Sequence, residues 1–478
     1  MNKFSLLSLS LTLLTACSQH TAAPPAADLT PVVPLHWQQH KLTATQVLQQ
    51  PHWWQAFQNP SLDQLIQQVL QKNNDLAVAA LKVKQARLSA GLTATNLTPE
   101  VSTSLTAIKQ KSWQQTNPAE QSSNVPPSVN NGSQNNQATQ YGTSLSLSYE
   151  LDLWGKLADE RAAANFEAEA TEQDRQASAL SLIGTTTTLY WKQGYLNQLI
   201  ALNQQSLNYT QHSLQIAQTH YQSGANGKLD VLQAEQSVAS QQAILEDLYR
   251  QRDENHNALT ILLDQPPETA LEQPLMLPDQ ALPAIPAHLP ADVLAQRPDV
   301  KAAELRVRSS YATGENTRKS YYPTFSLTGA LSTSSEQLRS ALQNPTGSIG
   351  TGLTLPFIEW QTTRLNIAKQ RVIYEQAVRN FRQTFYTALS EVENQLSARQ
   401  HYLNAGTQLS RSLLLAQQTE TISAVRYQAG DIEMQSWLDQ QEKRRNAEKS
   451  LLENHYQQLT TQMSLYQALG GNPTQPTK

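Results

Sequence analysis

Residues 73–107, NNDLAVAALKVKQARLSAGLTATNLTPEVSTSLTA, align without a gap on residues 297–331, RPDVKAAELRVRSSYATGENTRKSYYPTFSLTGAL. Asp75 falls on Asp299, Leu81 on Leu305, Val83 on Val307 and Pro99 on Pro323. A second pair follows: HYQSGANGKLDVLQAEQ from residue 220 and RYQAGDIEMQSWLDQQE from residue 426 set Tyr221 and Gly224 on Tyr427 and Gly430. The chain is a tandem duplication. A repeat of roughly 200 residues is far beyond the 20–50 residue period of a solenoid, so it reads as two similar halves of one protomer.

Each half carries the same order of signals. A helical segment comes first, Leu62 to Leu97 or Pro290 to Ser320, and Pro99 or Pro323 stops it, since proline lacks the amide a helix needs. Period-2 alternation follows. In Thr143-Ser144-Leu145-Ser146-Leu147-Ser148-Tyr149 the apolar side chains fall on one face and serines on the other, the mark of a strand with one dry and one wet side. Phe325, Leu327 and Leu331 repeat the pattern, as do Ile349, Leu353, Leu355 and Phe357. The strands form two hairpins, over 98–153 and 322–358, across polar loops at Gln114–Gln140 and Ser335–Ser348. No proline then interrupts 156–221 or 362–427. At 1.5 Å per residue each such helix spans about 100 Å. Glycine turns at Ser223–Lys228 and Ala429–Glu433 send the chain back as helices over 228–263 and 434–469. The first repeat therefore occupies 53–265 and the second 290–471, with a proline-rich linker at 266–289 and a tail at 472–478.

Composition narrows the class. Charged residues make up 15% of the chain, against about 25% in an ordinary soluble domain. Glutamine alone accounts for 59 of 478 residues, and the net charge is −4. The surface is polar but weakly charged, with no basic field for nucleic acid. Histidines are scattered without metal-site spacing, and no nucleophile elbow, P-loop or dinucleotide fingerprint occurs; we expect no enzyme and no cofactor. The sole cysteine, Cys17, follows a short apolar run and Leu14-Thr15-Ala16. Residues 1–16 read as a signal peptide, too short to span a bilayer, and the Leu-small-small-Cys ending resembles a bacterial lipobox. That likeness implies cleavage before Cys17, acylation of it (palmitate included) and a lipid-anchored segment at 17–52. The alternative is a plain signal peptide. Four strands cannot close a barrel, and an open strand edge cannot face lipid. Two, three or four chains would supply 8, 12 or 16 strands.

The motifs resemble one family. Trp53-Trp54-Gln55-Ala56-Phe57 running on to Ile66, Tyr149-Glu150-Leu151-Asp152-Leu153-Trp154-Gly155-Lys156, Leu294-Ala295-Gln296-Arg297-Pro298-Asp299, Tyr221-Gln222-Ser223-Gly224 and Tyr427-Gln428-Ala429-Gly430 are similar in kind and order to those of TolC/OprM-like outer membrane efflux proteins, lipoprotein branch. The resemblance implies an α+β membrane protein: a homotrimer with a 12-stranded β-barrel, four strands per chain, continuing into a long periplasmic α-helical barrel. It would lie in the outer membrane of a Gram-negative bacterium. A periplasmic adaptor and an inner-membrane pump would be its partners, and drugs or other small molecules would leave passively through it. It also implies that the Gly224 and Gly430 turns meet the adaptor. A periplasmic gate would involve Asp439, Asp431, Glu433 and Asp230, which could equally be helix-cap acids. Ser436 and Gln435 depart from the family pattern there. Trp53, Trp54 and Phe57 read as packing. Tyr149, Trp154, Tyr321, Tyr322, Phe357 and Trp360 suit an interfacial girdle, with core packing open for Trp154 and Trp360. Two alternatives stand beside the efflux duct: a type I secretion outer channel, and a non-channel coiled-coil lipoprotein.

Overall fold

The computed structural model describes residues 31–32, 52–111, 137–283 and 296–471. A 3-10 turn at Trp53–Phe57 precedes helices α1 (Pro60–Lys72) and α2 (Asn74–Ala94). Strands β1 (Glu100–Lys111) and β2 (Gln137–Leu151) lead to helices α3 (Lys156–Gln222) and α4 (Lys228–Leu262). The second repeat gives α5 (Pro298–Lys319), β3 (Thr324–Ser335), β4 (Thr346–Thr354), α6 (Trp360–Gln428) and α7 (Met434–Ala468). Cys17, the expected signal peptide, most of the first strand loop and the tail lie outside the described residues. Contacts divide the chain into two compact units, cut within α2, α3, α5 and α6.

The first unit is built on the strands. They form one antiparallel sheet in the order β1-β2-β3-β4, so the hairpins of the two repeats pair directly through β2 and β3. Register carries the alternation across all four strands. Ser104, Ser144, Ser332 and Thr346 form one cross-strand row, and Ser102, Ser146, Ala330 and Ser348 the next. On the opposite face Val101, Leu147, Gly329 and Ile349 line up. The hydroxyl face bonds to itself, Ser104 Oγ lying 2.8 Å from Ser144 Oγ. The apolar face is bare: Leu145, Leu147, Leu331 and Ile349 are all exposed. Strands β1 and β4 each have one neighbour, which leaves two open edges.

The passage from β2 into α3 is capped by its own motif. Asp152 accepts from the amides of Leu157 and Ala158 at 3.1 and 2.8 Å, supplying acceptors for the free amides of the helix start. Gly155 sits at φ +72°, and Glu150 meets Lys156 at 2.6 Å. Trp154 donates its indole N–H to the Pro323 carbonyl at 2.7 Å and packs edge-on against Tyr322. Trp154 and Trp360 are both exposed, so neither is core in the protomer.

Two expectations are corrected. The segment 62–97 is not one helix: it breaks at Asn73, which has an extended ψ of 126°. Asn73 caps α2 by accepting from the Leu76 amide at 3.0 Å and donates to the Leu262 carbonyl at 3.1 Å. Asparagine favours such caps over helix interiors. Its counterpart Arg297 likewise lies outside a helix, immediately before α5. Also, β4 ends at Thr354, and Phe357 falls in a 3-10 turn that begins at Pro356; proline has no amide for the ladder.

The second unit has an aromatic core. Trp53, Trp54, Phe57, Trp191 and Tyr466 are buried together with Leu62, Ile66 and Leu259. Phe57 and Trp191 meet edge-on at 4.9 Å, Trp53 and Tyr466 at 5.7 Å. Residues 271–283 run as a strap over the helices. Gln193 donates to Gln273 Oε1 at 2.8 Å, Asn197 to the Pro274 carbonyl at 2.9 Å, and the Leu277 amide to Gln198 Oε1 at 3.1 Å.

Candidate functional site

The two helical turns are built alike. At the end of α3 the Ala225 amide reaches back to the His220 carbonyl and the Gly224 amide to Tyr221. At the end of α6 Asp431 bonds to Arg426 and Gly430 to Tyr427 in the same pattern. These are paired Schellman closures, which require a left-handed residue just past the helix. Gly224 and Gly430 supply it at φ +74° and +80°. No neighbouring atom lies within 4 Å of a side chain built at either glycine, so backbone conformation alone selects glycine there.

Side chains break the symmetry. Tyr221 is 48% exposed, whereas its counterpart Tyr427 is 1% exposed. Trp437 stacks on Tyr427 at 5.1 Å from one side, and His220 stacks on it at 5.7 Å. Asn226 donates to the Tyr427 hydroxyl at 3.2 Å and to Asp230 Oδ2 at 2.7 Å. The Tyr427 hydroxyl approaches the same carboxylate oxygen within 3.5 Å. Burial first, and the Asp230 charge second, push the Tyr427 hydroxyl above its usual pKa. This knot ties the first-repeat turn to the end of α6.

Further contacts cross between the repeats. Gln441, fully buried, donates to Ser213 Oγ at 3.0 Å. Glu420, 5% exposed, accepts from the Tyr209 hydroxyl at 2.5 Å and from the Trp437 indole at 3.0 Å. The Arg444 guanidinium lies 5.2 Å from the Tyr209 ring centre. Burial, the bond to Glu420 and its charge together raise the Tyr209 hydroxyl pKa strongly.

Of the four acids expected at a gate, only Asp230 is brought to this knot. Asp431, Glu433 and Asp439 are exposed. Glu433 occupies the position before α7 without a side-chain cap bond, and Asp439 accepts from Gln435 at 2.7 Å. Tyr209, Asn226, Glu420 and Gln441 were not singled out by sequence. One signal was available: Glu420 and Tyr427 are seven residues apart, so the acid shares the seam position of a buried aromatic. Among the described residues no group of His, Cys, Asp or Glu is placed to hold a metal, and no helix is long and apolar enough to cross a membrane.

Comparison with known proteins completes the picture. The sequence model for "outer membrane efflux protein" matches residues 65–264 and 289–471. Pyoverdine export outer membrane protein OpmQ of Pseudomonas putida is 30% identical over 468 residues, covering 98% of this chain and 96% of that one. Toxin and drug export protein A of Aggregatibacter actinomycetemcomitans is 28% identical over 421 residues, 88% of each chain. The crystal structure of the Campylobacter jejuni CmeC outer membrane channel superposes with a TM-score of 0.82 over 95% of this chain and 96% of that one, at 21% identity.

Proposed function

The chain belongs to the outer membrane efflux protein family, and on that premise we propose that three copies form the exit duct of a tripartite efflux pump. Each copy contributes four strands, the β1 edge of one pairing with the β4 edge of the next. The apolar face meets lipid and the hydroxyl face lines the lumen. Twelve strands fall within the range of bacterial barrels. The duct sits in the outer membrane and its helices extend into the periplasm, where an adaptor and an inner-membrane pump deliver small molecules that leave passively. A lipid on Cys17 adds a second anchor beside the barrel.

The observation that carries this reading is the sheet, four strands in register with one hydroxyl-rich face, one bare apolar face and two open edges. Such a sheet is stable only when closed by further copies. The Gly224 and Gly430 turns are the adaptor-facing ends, and the Asp230–Tyr427–Asn226 knot holds the mouth shut. Asp431, Glu433 and Asp439 are exposed beside it, and threefold symmetry repeats each as a ring that favours cations. The test is oligomer mass in detergent together with conductance in planar bilayers. A conducting trimer is expected. A detergent-independent monomer without conductance would refute the duct and leave a tethered coiled coil. Passage of a folded or unfolded protein is a second reading, favoured by the name of the Aggregatibacter relative; it predicts export of a polypeptide when the matching transporter is supplied.

A further inference from the structure

Among the described residues two carboxylates are buried, Asp159 and Glu420. Asp159 is paired by Lys319 at 2.5 Å. Glu420 is held by two uncharged donors, one from each repeat: the Tyr209 hydroxyl on α3 and the Trp437 indole on α7. A carboxylate whose hydrogen-bond donors are both neutral, with the Arg445 charge acting on it only through space, is a costly way to fill a helical seam. Well-packed apolar residues of similar volume are generally as stable or more so.

The duplication supplies the comparison inside the same molecule. Moving by the 206 residues that separate Gly224 from Gly430, Glu420 falls on Leu214, Trp437 on Val231 and Tyr209 on Leu415. The other repeat thus keeps this position apolar throughout. Leu415 is exposed, as is Tyr221, the counterpart of Tyr427. The polar cluster is confined to the contact between the two repeats of one protomer. It lies seven residues from Tyr427 along α6, about 10 Å further from the turn.

A polar contact suits a seam that must part and close again. When it opens, the carboxylate and the hydroxyl exchange each other for water, and most of the lost interaction is recovered. An apolar seam recovers nothing when it is wetted. We propose that Glu420 is a second latch, holding the α6–α7 hairpin against α3 through Tyr209, so that the mouth opens only when this contact and the Asp230–Tyr427 knot both release. The inference rests on the channel reading above.

The experiment is gating of the purified full-length protein in planar bilayers, with melting temperatures measured alongside. Tyr209→Phe keeps the ring and removes the donor. Glu420→Gln keeps the shape and removes the charge. Tyr209→Phe is expected to raise the open-to-closed ratio by roughly 10- to 100-fold, the range of a hydrogen bond to a charged group; Glu420→Gln, whose amide oxygen still accepts from Tyr209, should raise it by less, roughly 3- to 10-fold. The double variant should exceed the Tyr209→Phe effect by little, because both substitutions act on one interaction. If Glu420→Gln does not fold, Tyr209→Phe decides alone. Gating at the wild-type level in folded Tyr209→Phe, while Asp230→Ala opens the channel, would overturn the latch and leave the duct standing. Silence of the wild type and of Asp230→Ala alike would remove the duct itself, and the latch with it.

Discussion

Replacing Gly194 by alanine tests how tightly the strap is seated on α3. A Cβ at Gly194 would stand 2.9 Å from both the carbonyl carbon and oxygen of Met276, and 3.2 Å from the Leu277 nitrogen. All three are backbone atoms, so no side chain can swing aside and the strap itself must move. It is held nearby by the Gln193–Gln273, Asn197–Pro274 and Gln198–Leu277 bonds, each worth about 1 kcal/mol net. Overpacking of this kind costs about 1–3 kcal/mol. Alanine regains about 1 kcal/mol over glycine inside a helix, so displacing the strap enough to lose two or three of its bonds leaves a net loss of about 1–2 kcal/mol. Gly91, inside α2, is the control: a Cβ there meets nothing within 4 Å, and Gly91→Ala should be neutral or stabilising by up to about 1 kcal/mol. Thermal unfolding in detergent should rank Gly91→Ala at or above wild type and Gly194→Ala below it. Hydrogen exchange at the Leu277 amide should accelerate in Gly194→Ala alone. A Gly194→Ala protein that melts at or above wild type, with Leu277 still protected, would refute this account of the strap.

Other outcomes follow from the same geometry. Gly430→Ala should destabilise the turn by about 1–2 kcal/mol, the cost of an L-residue in the left-handed region. Gly470→Ala should cost more, because its Cβ would also meet the Arg297 backbone at 3.2 Å; melting temperatures of the two variants give the order. On the sheet, Leu145→Arg places a charge on the lipid side at about 2–4 kcal/mol and should abolish trimer recovery from membranes. Ser144→Arg, one residue away on the hydroxyl face, should assemble normally and shift reversal potential toward anions. Burial holds the His455 imidazole below its ordinary pKa, against the opposing Asp279 charge and the hydrogen bond to the Pro278 backbone. The folded state therefore binds that proton less readily than the unfolded chain. Its contribution to stability is complete above about pH 6.5 and declines as pH falls below it. Melting temperature should drop between pH 7.5 and 5.5, and His455→Gln should flatten that slope.

What the sequence disclosed and what it withheld divide along physical lines. The strands were legible because TSLSLSY alternates apolar and hydroxyl residues at the period of a pleat. The long helices were legible because proline is absent from them and glycine stands at their ends. Both signals are local. The pairing of β2 with β3 brings Leu145 to Leu331, and no pattern within either hairpin carries that separation. The break at Asn73 was written in Asn73-Asn74-Asp75, a helix-start signature, but the apolar period on both sides concealed it.

The two helical turns show the limit most plainly. YQSG and YQAG are almost the same four residues, and both close a helix with the same backbone bonds. Local sequence therefore predicts equal tyrosines. Tyr427 is nonetheless buried and Tyr221 exposed, because the residue seven positions beyond the glycine is Trp437 in one repeat and Val231 in the other. The indole covers one tyrosine, and valine is too small to cover its counterpart. The same difference supplies Glu420 with a donor in one seam and leaves apolar residues in the equivalent place. Duplication copied the backbone and its turns, while divergence of a few side chains made one contact polar and tight and left the other open. In a closed ring of three chains the exposed face, with Tyr221 and Leu415, is free to meet the next copy. The ring would therefore alternate two kinds of seam, and the latch proposed above acts at the polar kind within each protomer, where Asp230 and Glu420 stand.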